Sequence, residues 1–365
     1  MALGAAVGTA VLGRRIGPRA ALWGAAFGTL PDLDVLVSHG DPVRDFTFHR
    51  GVSHSFFWLT VASPFLAALA ATVERKSGAG FRSWLLLAWL ALVTHPMLDA
   101  FTVYGTQLLL PFSDHPFGIG SVFIIDPLYT VPLLVGLATW LVLRRRDPVR
   151  AGRWNAAGLV ASTLYLGWTV AAQSHVESLV HRTAAAASHD HDRVLVTPTP
   201  FNTLLWRVVV MDETGYREGF RSLLDERDTV TLQFHATEPR LLDDVRDDWS
   251  VQRLAWFSKG FYGVHRADPG LRIAQGSPST MEQLLGLVDE AQATGTVPTA
   301  RPGIPIVMTD LRMGQTPWFV FSFVVAEQHG AATVPAPVRQ VPTERPPAAV
   351  LGRLWRRIWD EEAPF

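Results

Sequence analysis

Hydrophobic positions fall into two regimes along the chain. Up to about residue 176 they form long runs, at about 20–37, 52–73, 83–101, 121–143 and 154–175, with a shorter run at 2–13. The five longer runs are roughly the length needed to cross a hydrocarbon core. Beyond residue 176 the pattern changes to short β-branched and aromatic stretches bounded by Gly, Pro or Asp. There "TLLWRVVVM", "TVTLQFHA", "IPIVMTDLR" and "PWFVFSFVVA" predict strands, while "VQRLAWFSKGF" and "STMEQLLGLVDEAQ" have helical spacing. The expected fold is a polytopic α-helical membrane domain of about 5–6 transmembrane helices, followed by a small extracytoplasmic α+β domain.

The boundaries expected from these shifts are 1–175 for the membrane domain, 176–197 for a linker, 198–333 for the α+β domain, and 334–365 for a Pro-rich segment with an amphipathic helix. The first run reads as a short helix rather than a signal peptide, because no basic stretch precedes it. Trp23, Trp58, Trp84, Trp140 and Trp154 lie near run ends, as interfacial anchors do. In the tail, Leu351, Leu354, Trp355, Ile358 and Trp359 make an apolar stripe among Arg353, Arg356 and Arg357. That stripe suits a membrane surface or the outer domain.

Composition agrees with a membrane protein: 48% of the 365 residues are hydrophobic and 18% charged. A net charge of -1 excludes a general nucleic-acid binder. The absence of cysteine removes disulfides, thiolate nucleophiles and Cys-type zinc sites. Basic residues of the N-terminal half gather at Arg14, Arg15 and Arg19, at Arg75, Lys76 and Arg82, and at Arg144, Arg145, Arg146, Arg150 and Arg153. The positive-inside rule makes these loops cytoplasmic. Alternate crossing then puts 38–51, 102–120 and everything after about 176 outside.

This topology gathers the ionisable residues of the apolar runs. Asp32 and Asp34 in "PDLD", His49 and His54 in "FHRGVSHS", His95 and Asp99 in "THPMLD", and Asp126 in "IIDPLY" all fall at the outer leaflet. Each costs about 2.5–3.5 kcal/mol to insert, so a cluster predicts mutual compensation. Three imidazoles and four carboxylates suit zinc, with manganese or iron as alternatives, and one or two ions. His95 and Asp99 share a helical face by their spacing of four, although Pro96 disfavours helical geometry at His95. Gly51 predicts a tight turn between His49 in a loop and His54 at a helix start. His189 and His191 in "ASHDHDR" read as a solvated loop.

These motifs resemble the YdjM-like family, described as LexA-regulated, membrane-bound, metal-dependent hydrolases. "PDLD", "HRGVSHS" and "THPMLD" carry the resemblance, "YGTQLLLPFSDHPFGIGSVFIIDPLYT" is similar to the stretch that follows in one branch, and "FNTLLWRVVV" is similar to that branch's tail region. The resemblance covers roughly residues 1–175 and implies a hydrolase in a bacterial plasma membrane with the matched Asp and His residues as ligands. The expected ligands are Asp32, Asp34, His49, His54, His95 and Asp99, with Asp126 as a further ligand or base and Arg50 steadying an anionic group. The expected chemistry is attack by activated water on an ester, phosphoester or amide, with a membrane lipid or lipid-linked substrate as partner. Two other readings are a metal-stabilised scaffold and a cation transporter. The second predicts polar residues continuing to the cytoplasmic ends, and few are present.

Overall fold

The first two helices form a tight hairpin, and small residues make it possible. In the computed structural model, which describes residues 1–186, 193–267, 303–342 and 346–363, α1 (Ala2–Ile16) turns at Gly17 into α2 (Pro18–Phe27). Gly17 has φ +60°, and Gly4 and Gly8 of α1 face Ala20 and Gly24 of α2. A Cβ on Gly24 would lie 2.0 Å from the Gly4 carbonyl oxygen. This is the small-residue spacing that lets helices approach in lipid. Gly24→Val is expected to destabilise the detergent-solubilised protein by at least the ~1–3 kcal/mol of an overpacked core. An unchanged thermal unfolding midpoint would refute the close packing.

The expected run at 20–37 is not one long helix. Ten residues of α2 rise only about 15 Å, and the chain then takes a 3-10 turn at Leu30–Leu36 with Pro31 in its first turn. A short α3 (Pro42–Phe48) and a second 3-10 turn at Val52–His54 follow. Next come α4 (Phe56–Val73), capped by Ser55, and α5 (Phe81–Asp99). Helix α5 continues through Pro96, because a proline in the last turn removes one late hydrogen bond without stopping the chain. By length and apolarity α4 and α5 can cross a membrane. Helix α6 (Pro127–Leu143) is apolar but shorter.

Helix α1 touches α2, α5, α6 and α7 (Pro148–Ala186). Polar side chains hold the bundle: Asn155 donates to the Ala6 carbonyl and Ser162 to the Tyr129 carbonyl. The basic groups converge at one end. Arg19 pairs with Glu74 at 2.6 Å, and Cβ atoms on Gly17 and Gly152 would lie 3.5 Å from Arg144 and 3.9 Å from Arg14.

With 39 residues, α7 is about 58 Å long. It therefore overruns the expected boundary, and 176–186 of the expected linker is helical. The reason is burial: Ala172, Val176 and Val180 pack on Val196, Trp206, Val208 and Val210. These belong to an antiparallel sheet of β1 (Val194–Pro198), β2 (Leu205–Asp212), β3 (Gly215–Ser222) and β4 (Gln233–Ala236). Helix α8 (Trp249–Phe257) leads into β5 (Tyr262–Arg266). Strands β6 (Ile304–Asp310), β7 (Gly314–Gln315), β8 (Trp318–Phe319), β9 (Ser322–His329) and β10 (Ala332–Gln340) complete the domain.

The second sheet has the order β10-β9-β6-β5, and β7 pairs with β8. Strand β10 occupies much of the expected Pro-rich tail. Its prolines are accommodated because β10 lies at an edge with a register shift between Pro335 and Arg339. The helix expected in "STMEQLLGLVDEAQ", and His189 and His191, lie outside the described residues. Helix α9 (Ala348–Trp359) packs Val350, Leu354 and Ile358 on Leu205, and Arg357 makes a two-pronged pair with Asp225 at 2.6 and 2.7 Å. Its opposite face leaves Leu351, Trp355 and Trp359 exposed.

The two halves share a core. Val43 and Phe46 of α3 are buried with Phe257, Met308 and Phe323 of the C-terminal domain. The Phe46 ring lies 4.4 Å from that of Phe321 and 4.9 Å from that of Phe257. Arg312 reaches back to the Tyr104 carbonyl at 3.0 Å, and Arg253 to Thr47 at 3.0 Å.

Candidate metal centre

Four side chains from three separate segments meet at one point. Asp32 comes from the 3-10 turn after α2, His54 from the turn before α4, and His95 and Asp99 from the last two turns of α5. His95 Nε2 lies 3.2 Å from Asp32 Oδ1 and 3.1 Å from Asp99 Oδ2, and His54 Nε2 lies 3.6 and 3.3 Å from the same two oxygens. All four donor atoms lie within 4.8 Å of one another. His54 is fully buried, while the Asp32 side chain is 47% exposed and opens one side of the group.

The donors suit a divalent cation. Bonds of about 2.0–2.2 Å to nitrogen and oxygen in a tetrahedron imply donor separations of about 3.3–3.6 Å, close to those observed. His54 Nε2 and Asp99 Oδ2 are buried and, although 3.3 Å from each other, make no aligned hydrogen bond among the described residues. Native interiors rarely leave such atoms unmatched, and a cation would satisfy both.

Around the four donors lies a second layer that orients them. Ser53 Oγ is 2.9 Å from His54 Nδ1, and Asp34 Oδ2 is 3.5 Å away, so His54 is held by one ring nitrogen and presents the other to the centre. Asp34 also accepts from the Arg50 backbone N–H at 3.0 Å, and its Oδ1 lies 2.8 Å from His49 Nδ1. Arg50 adopts φ +60°, a conformation unusual for a non-glycine residue and one that points to a constrained site. Its carbonyl accepts from Gln107 N, and its guanidinium reaches Thr102 at 3.0 Å and Asp99 Oδ1 at 3.4 Å. It also lies over the Tyr104 ring. Burial pushes the Tyr104 phenol far above its ordinary pKa, so it stays a neutral donor to the Phe46 carbonyl.

The expected seven-residue cluster is thus divided. Asp32, His54, His95 and Asp99 come together, with the helical spacing of His95 and Asp99 realised. Asp34 and His49 pair with each other instead of joining them. A 3-10 turn advances about 120° per residue, so Asp32 and Asp34 diverge and meet His54 at opposite ring nitrogens, Asp32 near Nε2 and Asp34 near Nδ1. Asp126 is not part of the group. Its Oδ1 caps α6 by accepting from Leu128 and Tyr129 N–H, and Tyr165 donates to its Oδ2 at 2.9 Å. Ser53 was visible in the motif yet not singled out. Thr102, Tyr104 and Gln107 join through chain folding, and their positions carry no charge signal.

Fold and site together give a helical N-terminal region with two helices able to cross a membrane, a sheet-containing C-terminal domain, and a His/Asp group able to hold a metal ion. Residues 1–176 match the family described as YdjM inner membrane protein, in line with the resemblance carried by the three motifs. The uncharacterized protein YfhP of Bacillus subtilis (strain 168) is 29% identical over 114 residues, 30% of this chain and 33% of that protein. The chain thus spans about a third of the length of that relative. No solved structure matches the chain.

Proposed function

We propose that the protein is a membrane-embedded, metal-dependent hydrolase acting on a lipid or lipid-linked ester or phosphoester at the outer leaflet. The observation that carries this reading is the pair of buried, unmatched donors, His54 Nε2 and Asp99 Oδ2, facing Asp32 and His95. These four residues would hold one divalent ion, with zinc the best fit to two imidazoles and two carboxylates. If the ion kept a further position open to water beside the half-exposed Asp32 side chain, it would supply Lewis acidity and a water acidified towards neutrality.

The chain's own residues do the rest. With Nδ1 engaged by Asp34, His49 keeps Nε2 as the ring nitrogen for proton transfer, which makes it the general base or acid. Arg50 holds Asp99 in place and offers charge to an anionic group. Asp126, bound into its cap, is assigned no catalytic role.

The convergence of Arg19, Arg144 and Arg14 at the far end of the bundle supports that end as cytoplasmic. The outer domain is then extracytoplasmic in a multi-pass protein of a bacterial plasma membrane, with membrane lipid as its surroundings.

The test is hydrolysis of ester and phosphodiester lipid reporters by detergent-purified protein, with metal content measured on the same samples. His49→Gln is expected to keep its metal and lose turnover by about 10²–10⁴-fold, the usual contribution of a general acid or base. Metal retention with full turnover would remove His49 from the reaction. Stoichiometric metal without hydrolysis of any lipid reporter by the wild type would favour the metal-stabilised scaffold.

A further inference from the structure

Between the helical bundle and the C-terminal domain lies a cavity of about 1330 Å³, above the ~300–1,000 Å³ typical of small-molecule sites. Asp34, His49 and Arg50 line one part of it, so it begins where the metal centre's second layer ends. Elsewhere its lining includes Val122, Phe123, Trp318, Val338 and Leu354. Four further lining residues, Val35, Val37, Ile124 and Leu351, are 45–62% exposed and give the cavity an apolar rim. A chamber for a water-soluble ligand has no use for such a rim, whereas one that admits a hydrocarbon chain requires it.

The charged lining separates into saturated and unsaturated groups. Arg312 is committed to Asp310 and to the carbonyls of Val103 and Tyr104. Arg50, which pairs with Asp99 and Thr102, and Arg207, which pairs with Glu218 and the Leu311 carbonyl, are at least nine-tenths buried. Each still keeps one buried guanidinium nitrogen without a hydrogen-bond partner among the described residues, while Asp34, Asp41 and Asp45 also line the cavity. Buried N–H groups of this kind call for an acceptor, and an anion is the strongest one available.

We infer that this cavity is a binding chamber for one anionic amphiphile of the phosphatidic acid type. Its phosphate lies at the Arg50 and His49 end and its acyl chains along Phe123, Trp318 and Leu351. Helix α9 forms part of the entrance, because Leu351 lines the chamber while Trp355 and Trp359 on its outer face suit the headgroup region. The inference rests on the hydrolase reading only for what happens to the head group. Occupancy of the chamber is a separate matter.

The experiment uses the full chain in lipid nanodiscs containing phosphatidic acid with a diazirine in its acyl chain, or the matched diacylglycerol, with labelled residues mapped after irradiation. Phosphatidic acid is expected to label residues 318–321 and 350–354 at least fivefold more than diacylglycerol. Leu351→Trp, which fills the entrance, should cut that labelling at least threefold with metal content unchanged. Labelling confined to the outer surfaces of α4, α5 and α6, or equal labelling by both lipids, would overturn the proposal. Displacement of the lipid by soluble glycerol phosphate would also overturn it, because the ligand would then be the head group alone. His54→Ala separates the two readings: retained chamber labelling after metal loss supports the chamber independently. Wild-type metal without chamber labelling would leave the hydrolase reading standing and this one refuted.

Discussion

His54→Ala is expected to reduce bound metal from about one ion per chain to a small fraction of that. His54 is fully buried, contributes an unmatched Nε2, and is fixed through Nδ1. Its loss therefore removes one of four donors, and among the described residues no free imidazole stands ready to replace it. His49, the nearest alternative, is tied to Asp34. The magnitude has a lower bound: loss of an outer-shell partner costs about 10–100-fold in affinity, so loss of a ligand costs more.

A graded series follows. Ser53→Ala should weaken affinity within that range, and His54→Ala and Asp99→Ala should exceed it. Asp99→Asn keeps the shape of the side chain and so separates lost charge from lost fold. The measurement is elemental analysis of detergent-purified protein after dialysis against a metal buffer. Equal metal content in the wild type, His54→Ala and Asp99→Ala would sink the metal-centre reading.

Phe46→Ala is expected to detach α3 from the C-terminal domain while leaving the metal in place. Phe46 is buried and makes ring contacts with Tyr104, Phe257, Phe321 and Phe323. Truncating such a ring costs about 3–5 kcal/mol through lost transfer energy and the cavity left behind. At about 2–4 °C per kcal/mol for a domain of this size, the C-terminal domain's unfolding midpoint should fall by about 6–20 °C. Limited proteolysis should cut near 38–41 faster. Metal content should hold, because Asp32, His54, His95 and Asp99 lie outside α3. An unchanged midpoint would show that the shared core does not join the two halves, and lost metal would show that α3 supports the centre directly.

Much of the site was legible because charge in an apolar run is conspicuous. "PDLD", "HRGVSHS" and "THPMLD" stand out against hydrocarbon, and loop charges assign them to one side without any knowledge of contacts. The i, i+4 spacing of His95 and Asp99 needs only the helix period. Which of the seven would be ligands was not legible. That choice depends on the 120° step of the turn carrying Asp32 and Asp34, and on Asp126 finding Leu128, Tyr129 and Tyr165 as partners instead.

Long-range packing was the other hidden layer. Val176 and Val180 extend α7 because a sheet formed by residues 194–236 covers them, and no local pattern in 176–186 announces that sheet. The same holds for Phe46, whose ring partners Phe257, Phe321 and Phe323 lie more than 200 residues away. The run at 20–37 failed as a single span for a local reason, since Pro31 follows the end of α2 closely.

By itself, then, the sequence determined an apolar helical half, a β-rich half, and three Asp/His motifs on the chain segments that meet. Hydropathy, loop charge and helical period are properties of neighbours in the chain, so they can be read there. Tertiary structure alone decided that Asp32, His54, His95 and Asp99 meet in a group able to hold a metal ion, that Asp34 and His49 pair beside it, and that α3 and α9 help line a cavity next to it. Those outcomes rest on directions and distances between residues far apart in sequence, which only packing defines.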